Sequence, residues 1–105
     1  AASECRTYAC LALANLSATI TNHTVLLESG VLRALYALCS SEDAMAQFYV
    51  GRTLANLSCA LGNHALMAEE GGLQVCVTLA LSPDPDVHQQ AAAALRGLSW
   101  SKDVA

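Results

Sequence analysis

A chain of 105 residues can bury one modest core but not two, so it reads as a single unit. Its residues are 54% hydrophobic yet only 5% aromatic, with alanine and leucine supplying most of the apolar share, which favours close-packed helices over sheets. Nine acids against five bases give a formal charge of −4, a balance that repels a phosphate backbone and argues against a nucleic-acid partner; no apolar run approaches the roughly 20 residues that cross a bilayer.

In chain order, residues 4–17 carry Cys5, Ala9, Ala12, Leu13 and Leu16 at helical spacing and predict a first long helix. Asn22 is a good N-cap for a short helix that must stop at Gly30, where glycine takes the left-handed conformation of a sharp turn. A second helix is expected from near Val31, with Leu32, Leu35 and Leu38 as its apolar stripe. Ser40-Ser41-Glu42-Asp43 then break that helix and cap the next, placing acids beside the positive end of its dipole. The next helix is the longest, with Ala46, Val50, Thr53, Leu54 and Leu57 along its buried face.

The same order then recurs. Asn63 and Gly71 bound a short helix, a second one starts near Gly72 and runs through Leu73, Cys76 and Leu79, and Ser82-Pro83-Asp84-Pro85-Asp86 cap a last long helix carrying Val87, Ala91, Ala94, Leu95 and Leu98. Three segments align without gaps, each 41 residues on from the one before: Ala12-Leu13-Ala14-Asn15-Leu16-Ser17, Thr53-Leu54-Ala55-Asn56-Leu57-Ser58 and Ala94-Leu95-Arg96-Gly97-Leu98-Ser99. The same shift carries Asn22-His23 onto Asn63-His64, Glu28 onto Glu69 and Gly30 onto Gly71. This organises the chain as a third helix of an incomplete repeat over residues 1–18, complete repeats over 19–59 and 60–100, and a tail or start of a next repeat over 101–105.

A glycine between the first and second helices and an Ala-Leu-x-Asn-Leu-Ser close to the third resemble the armadillo family, and the match covers nearly the whole chain. The resemblance implies an all-α, right-handed armadillo-type helical repeat solenoid, with three helices per repeat and a period of 41. It also implies a concave groove lined by the third helices, in which the hallmark asparagine grips the backbone of an extended ligand; carried over, that role falls on Asn15 and Asn56, while Gly97 stands at the third position. A primary amide offers both a donor and an acceptor to a peptide bond whatever the ligand's sequence. Sharing the asparagine's helical face are Tyr8 and Leu11 in the first ridge, Tyr49 and Arg52 in the second and Gln90 in the third. Two amphipathic rings flanked by a guanidinium suit an anchor for a ligand side chain. Importin-α is similar but carries tryptophan four residues before its asparagine, where this chain has Leu11, Arg52 and Ala93, so a basic localisation signal is not the expected ligand.

Catalysis finds no footing: no nucleophile lies in a recognisable motif with a base, and there is no phosphate-binding glycine loop, so an enzyme is not expected. Cys59, His64, His23 and Cys39 lack the paired spacing of a zinc site, and neither metal nor cofactor is expected. Five cysteines, Cys5, Cys10, Cys39, Cys59 and Cys76, suit small reduced core side chains in a cytoplasmic protein, with nuclear or cytoskeletal association compatible. The sequons at Asn15, Asn22 and Asn56 are then undecorated. The leading expectation is an interaction scaffold for a protein or peptide partner. Its rivals are a structural stacking segment of a cytoskeletal or ciliary assembly and a regulatory region of a larger enzyme. Because each repeat covers its neighbour's apolar face, the chain is expected to belong to a longer protein or a larger complex.

Overall fold

The computed structural model describes residues 2–100; the tail assigned to 101–105 lies outside the described residues. Within them every regular element is helical: α1 (Ala2–Ser17), α2 (His23–Glu28), α3 (Val31–Leu38), α4 (Ala44–Ser58), α5 (His64–Glu69), α6 (Gly72–Ala80) and α7 (Pro85–Ser99), with 3-10 turns at Ile20–Asn22 and Leu61–Asn63. No single described helix is long and apolar enough to cross a membrane.

The long helices lie as consecutive ridges, α4 packed between α1 and α7, while α3 and α6 pack behind them. The core runs along the expected faces: Leu32 and Leu35 of α3, Val50, Leu54 and Leu57 of α4, Cys76 and Leu79 of α6, and Val87, Ala94 and Leu98 of α7 are all buried. On α1 the buried residues are Cys10, Ala14 and Ser17, which face α4, whereas Cys5, Ala9, Ala12 and Leu16 are exposed.

Two turn expectations meet different outcomes. Gly30 and Gly71 have φ of 85° and 91°, the left-handed region that lets each short helix break sharply into the next. Asn22 and Asn63, by contrast, make no N-cap hydrogen bond. Their ψ angles of −13° and −15° are already helical, whereas Asp43 and Asp84, with ψ of 113° and 120°, hold the extended backbone a cap needs. Asp43 accepts from the Met45 N–H, and Asp84 from the N–H groups of Asp86 and Val87.

The asparagines instead serve the helix before them. A helix ends with carbonyls that have no intrahelical partner. At the end of α1, Asn22 Nδ2 donates to Leu16 O (2.9 Å) and His23 Nε2 to Ser17 O (2.7 Å). At the end of α4, Asn63 Nδ2 donates to Leu57 O (2.9 Å) and His64 Nε2 to Ser58 O (2.6 Å). Asn63 Nδ2 also donates to His23 Nδ1 (3.0 Å), tying the second short helix to the first. The recurrence of Asn-His in the sequence is thus a carbonyl clasp at the ends of α1 and α4.

Candidate functional site

The three long helices position the residues that the armadillo resemblance singles out. Asn15 and Arg52 are exposed, Tyr8 is 67% exposed, and Leu11, Tyr49, Asn56 and Gln90 are half-buried. Tyr49 packs edge-on to Phe48 with ring centroids 5.4 Å apart, and this is the one ring contact among the described residues, so Tyr8 and Tyr49 do not stack. Gln90 is turned toward α4: a Cβ built on Gly51 would stand 2.8 Å from the Gln90 Cβ.

Asn56 is tied into the fold. Its Nδ2 donates to Ala14 O (3.2 Å) and to Ser17 Oγ (3.1 Å) on the neighbouring ridge, which uses both amide protons. Ser17 Oγ in turn donates to Ala14 O. The amide is therefore held at a fixed orientation across α1 and α4, and its Oδ1, with no partner among the described residues, is not enclosed. Asn15 makes no side-chain hydrogen bond within the described residues.

At the third position Gly97 packs against Ser58, and a Cβ there would stand 2.8 Å from Ser58 Oγ and 3.1 Å from its carbonyl oxygen. The close crossing of α4 and α7 thus requires glycine where the earlier ridge carries an amide. Beside it lies a hollow of about 260 Å³, lined among others by Asn56, Cys59, Arg96 and Trp100. Arg96 and Trp100 were not among the residues expected to bind. Their signal in the sequence is the i+3 spacing of Trp100 from Gly97, which puts the ring on the asparagine's helical face. At the other end of the same helices, Met45 and Phe48 sit with Asp84 and Asp86 around a hollow of about 250 Å³. The Thr7 hydroxyl donates to Asp43, and this bond, with the Met45 N–H, holds the Asp43 carboxyl below its ordinary range.

The cysteines divide by place. Cys10, Cys39 and Cys76 are buried, and burial raises all three thiols, Cys76 to about 11. Cys5 and Cys59 are exposed, which corrects the expectation that all five fill core slots; at these points their helices face outward.

Two helix triplets, α2–α4 and α5–α7, each opening with the same Asn-His clasp on the long helix before it, define a helical-repeat protein. Residues 62–100, from the second 3-10 turn to the end of α7, match the model of the Armadillo/beta-catenin-like repeat, which supports an armadillo-repeat assignment. No curated protein and no solved structure showed significant similarity to it. Armadillo repeats are protein-interaction modules and typically non-catalytic.

Proposed function

We propose that this chain binds an extended peptide segment of a partner protein along the face of α1, α4 and α7, with Asn15 and Asn56 holding the ligand's backbone and Tyr8, Leu11, Tyr49, Arg52 and Gln90 receiving its side chains. The observation that carries this reading is the Asn56 amide, anchored through both protons so that Oδ1 is a preoriented acceptor for a ligand N–H. Asn15, with no side-chain hydrogen bond among the described residues, offers both donor and acceptor. The chemistry is that of a scaffold, and a cytoplasmic location goes with its uncrosslinked thiols.

The test selects peptides on the folded chain from a random display library and measures their affinity for variants. Asn15→Ala is expected to weaken binding by about 2- to 12-fold, the equivalent of one hydrogen bond of roughly 0.5 to 1.5 kcal/mol, with helicity unchanged. Selected peptides that bind Asn15→Ala and Tyr8→Ala as tightly as the parent chain would overturn the groove.

A second reading, a stacking segment of a cytoskeletal or ciliary assembly, draws on Tyr36 of α3 and Val77 of α6, both more than half exposed on the helices behind the ridges. Peptides whose affinity responds to Tyr36→Ala and not to Asn15→Ala would favour it.

A further inference from the structure

The hollow beside Gly97 differs in chemistry from the rest of the chain. Ala93, Asn56 and Gly97 are its half-buried walls, while Cys59, Arg96 and Trp100 are exposed around it. No carboxylate of the described residues lines it, nor does one line the adjoining hollow of about 260 Å³ formed by Gln89, Ala92, Ala93 and Arg96, and the Arg96 side chain borders both. Arg96 forms no ion pair among the described residues, although acids outnumber bases nine to five in the chain. Trp100, at the C-cap of α7, is 80% exposed, an indole with most of its surface in water. The hollow at the opposite end of α4 and α7 has the reverse polarity, with Asp84 and Asp86 beside Met45 and Phe48. Charge along α7 therefore runs from acidic in its first turn, at Asp86, to cationic in its last, at Arg96.

We propose that the Gly97 hollow is a subsite for a glutamate side chain of the bound segment. Its carboxylate pairs with the Arg96 guanidinium, its methylenes lie against the Trp100 indole and Ala93, and the glutamate's own backbone N–H reaches Asn56 Oδ1. A guanidinium presents a planar fork that matches a carboxylate, and the hollow of about 260 Å³ beside Gly97 offers the room. The subsite presupposes the peptide groove and adds the chemistry of one position in it. Arg96 also complements the dipole in the last turn of α7, so the deciding measurement is binding and not stability.

Trp100 is the only tryptophan in the chain, so its fluorescence reports on this hollow alone. The full chain is titrated with capped peptides of roughly nine residues, about 30 Å when extended, alternating alanine with glutamate, glutamine or lysine. The alanine–glutamate peptide is expected to shift Trp100 emission and to bind at least about five-fold more tightly than the glutamine peptide, with the lysine peptide weakest. Arg96→Gln should bring the glutamate peptide down to the glutamine level, while Arg96→Lys, which keeps the charge, retains part of the preference. Equal affinity for the glutamate and glutamine peptides, both weakened by Asn15→Ala, would overturn the subsite and leave the groove standing. A glutamate preference that needs Arg96 but ignores Asn15→Ala and Tyr8→Ala would keep the subsite and remove the groove. Binding with no change in Trp100 emission, or no binding of the glutamate peptide, overturns the subsite.

Discussion

Burial divides the five thiols into two sets with opposite chemistry. Cys5 and Cys59 are exposed, whereas Cys10, Cys39 and Cys76 sit in the core with raised pKa, so only two should react quickly with an aromatic disulfide reagent at neutral pH and the other three only on unfolding. A count of five fast thiols would contradict this packing. Cys76 also sets a pH dependence. Its thiol is raised from 9.0 to about 11 in the folded chain, so the unfolded state loses its proton first as pH climbs. The Cys76 contribution is intact below pH 9 and is lost between pH 9 and about 11, by roughly 2 to 3 kcal/mol for a shift of this size. Cys76→Val should flatten the urea midpoint over that window relative to the parent chain; an unchanged alkaline slope would show that other groups control it. The sequence marked these residues as small and apolar, but which of them lie inside depends on helix phase against a neighbour. Cys59 follows the last residue of α4, and there the chain has already turned outward.

At the scale of the element, the long helices are made by their ends. Asp43 and Asp84 cap the starts as their position before each helix predicts, and Asp84→Ala should cost about 0.5 to 2 kcal/mol in denaturant unfolding. A clasp closes the other end of α4, as another closes α1. Asn22 donates to one carbonyl, but Asn63 serves both Leu57 O and the buried His23 Nδ1. Leu16 O and Leu57 O keep backbone donors from Thr19 and Ala60, so only Asn63→Ala strands an acceptor, His23 Nδ1. We expect Asn63→Ala to be the more destabilising by roughly 1 to 3 kcal/mol, measured as the difference in unfolding free energy. Equal losses would mean that the link to His23 contributes nothing. The recurrence of Asn-His was plain in the sequence, but its direction was not. An asparagine before a helix is chemically ready to cap it, and only the backbone angle at Asn22 and Asn63, set by the 3-10 turn before them, aims the amide at the preceding helix instead.

The molecule as a whole is elongated, 41 × 28 × 19 Å, and apolar at both ends. At one end Cys5, Ala9, Ala12 and Leu16 of α1 are open to water; at the other, Leu81 and Trp100 are 80% exposed. His64 adds a polar deficit: at 1% exposure its Nδ1 has no partner among the described residues, whereas the equivalent atom of His23 accepts from Asn63. A burial of about 1.5 to 3 kcal/mol forgone per large apolar side chain, with few such residues to spare in a small domain, predicts that the isolated chain associates through its ends. Light scattering should give a mass that rises with concentration, with a thermal midpoint that rises alongside. A monodisperse monomer with a cooperative, concentration-independent melt would refute it.

The all-helical class, the order of short and long helices, the glycine turns, the aspartate caps and the armadillo resemblance could all be read in this sequence, because each depends on residues within a few positions of one another or on a pattern that recurs along the chain. The tertiary structure alone decided that Asn56 spends its amide protons on α1, that Gly97 is required by contact with Ser58, and that Arg96 and Trp100 share a hollow with Asn56. These depend on how closely one ridge approaches the next, a distance fixed by the packing of side chains some forty residues apart and therefore invisible to local spacing.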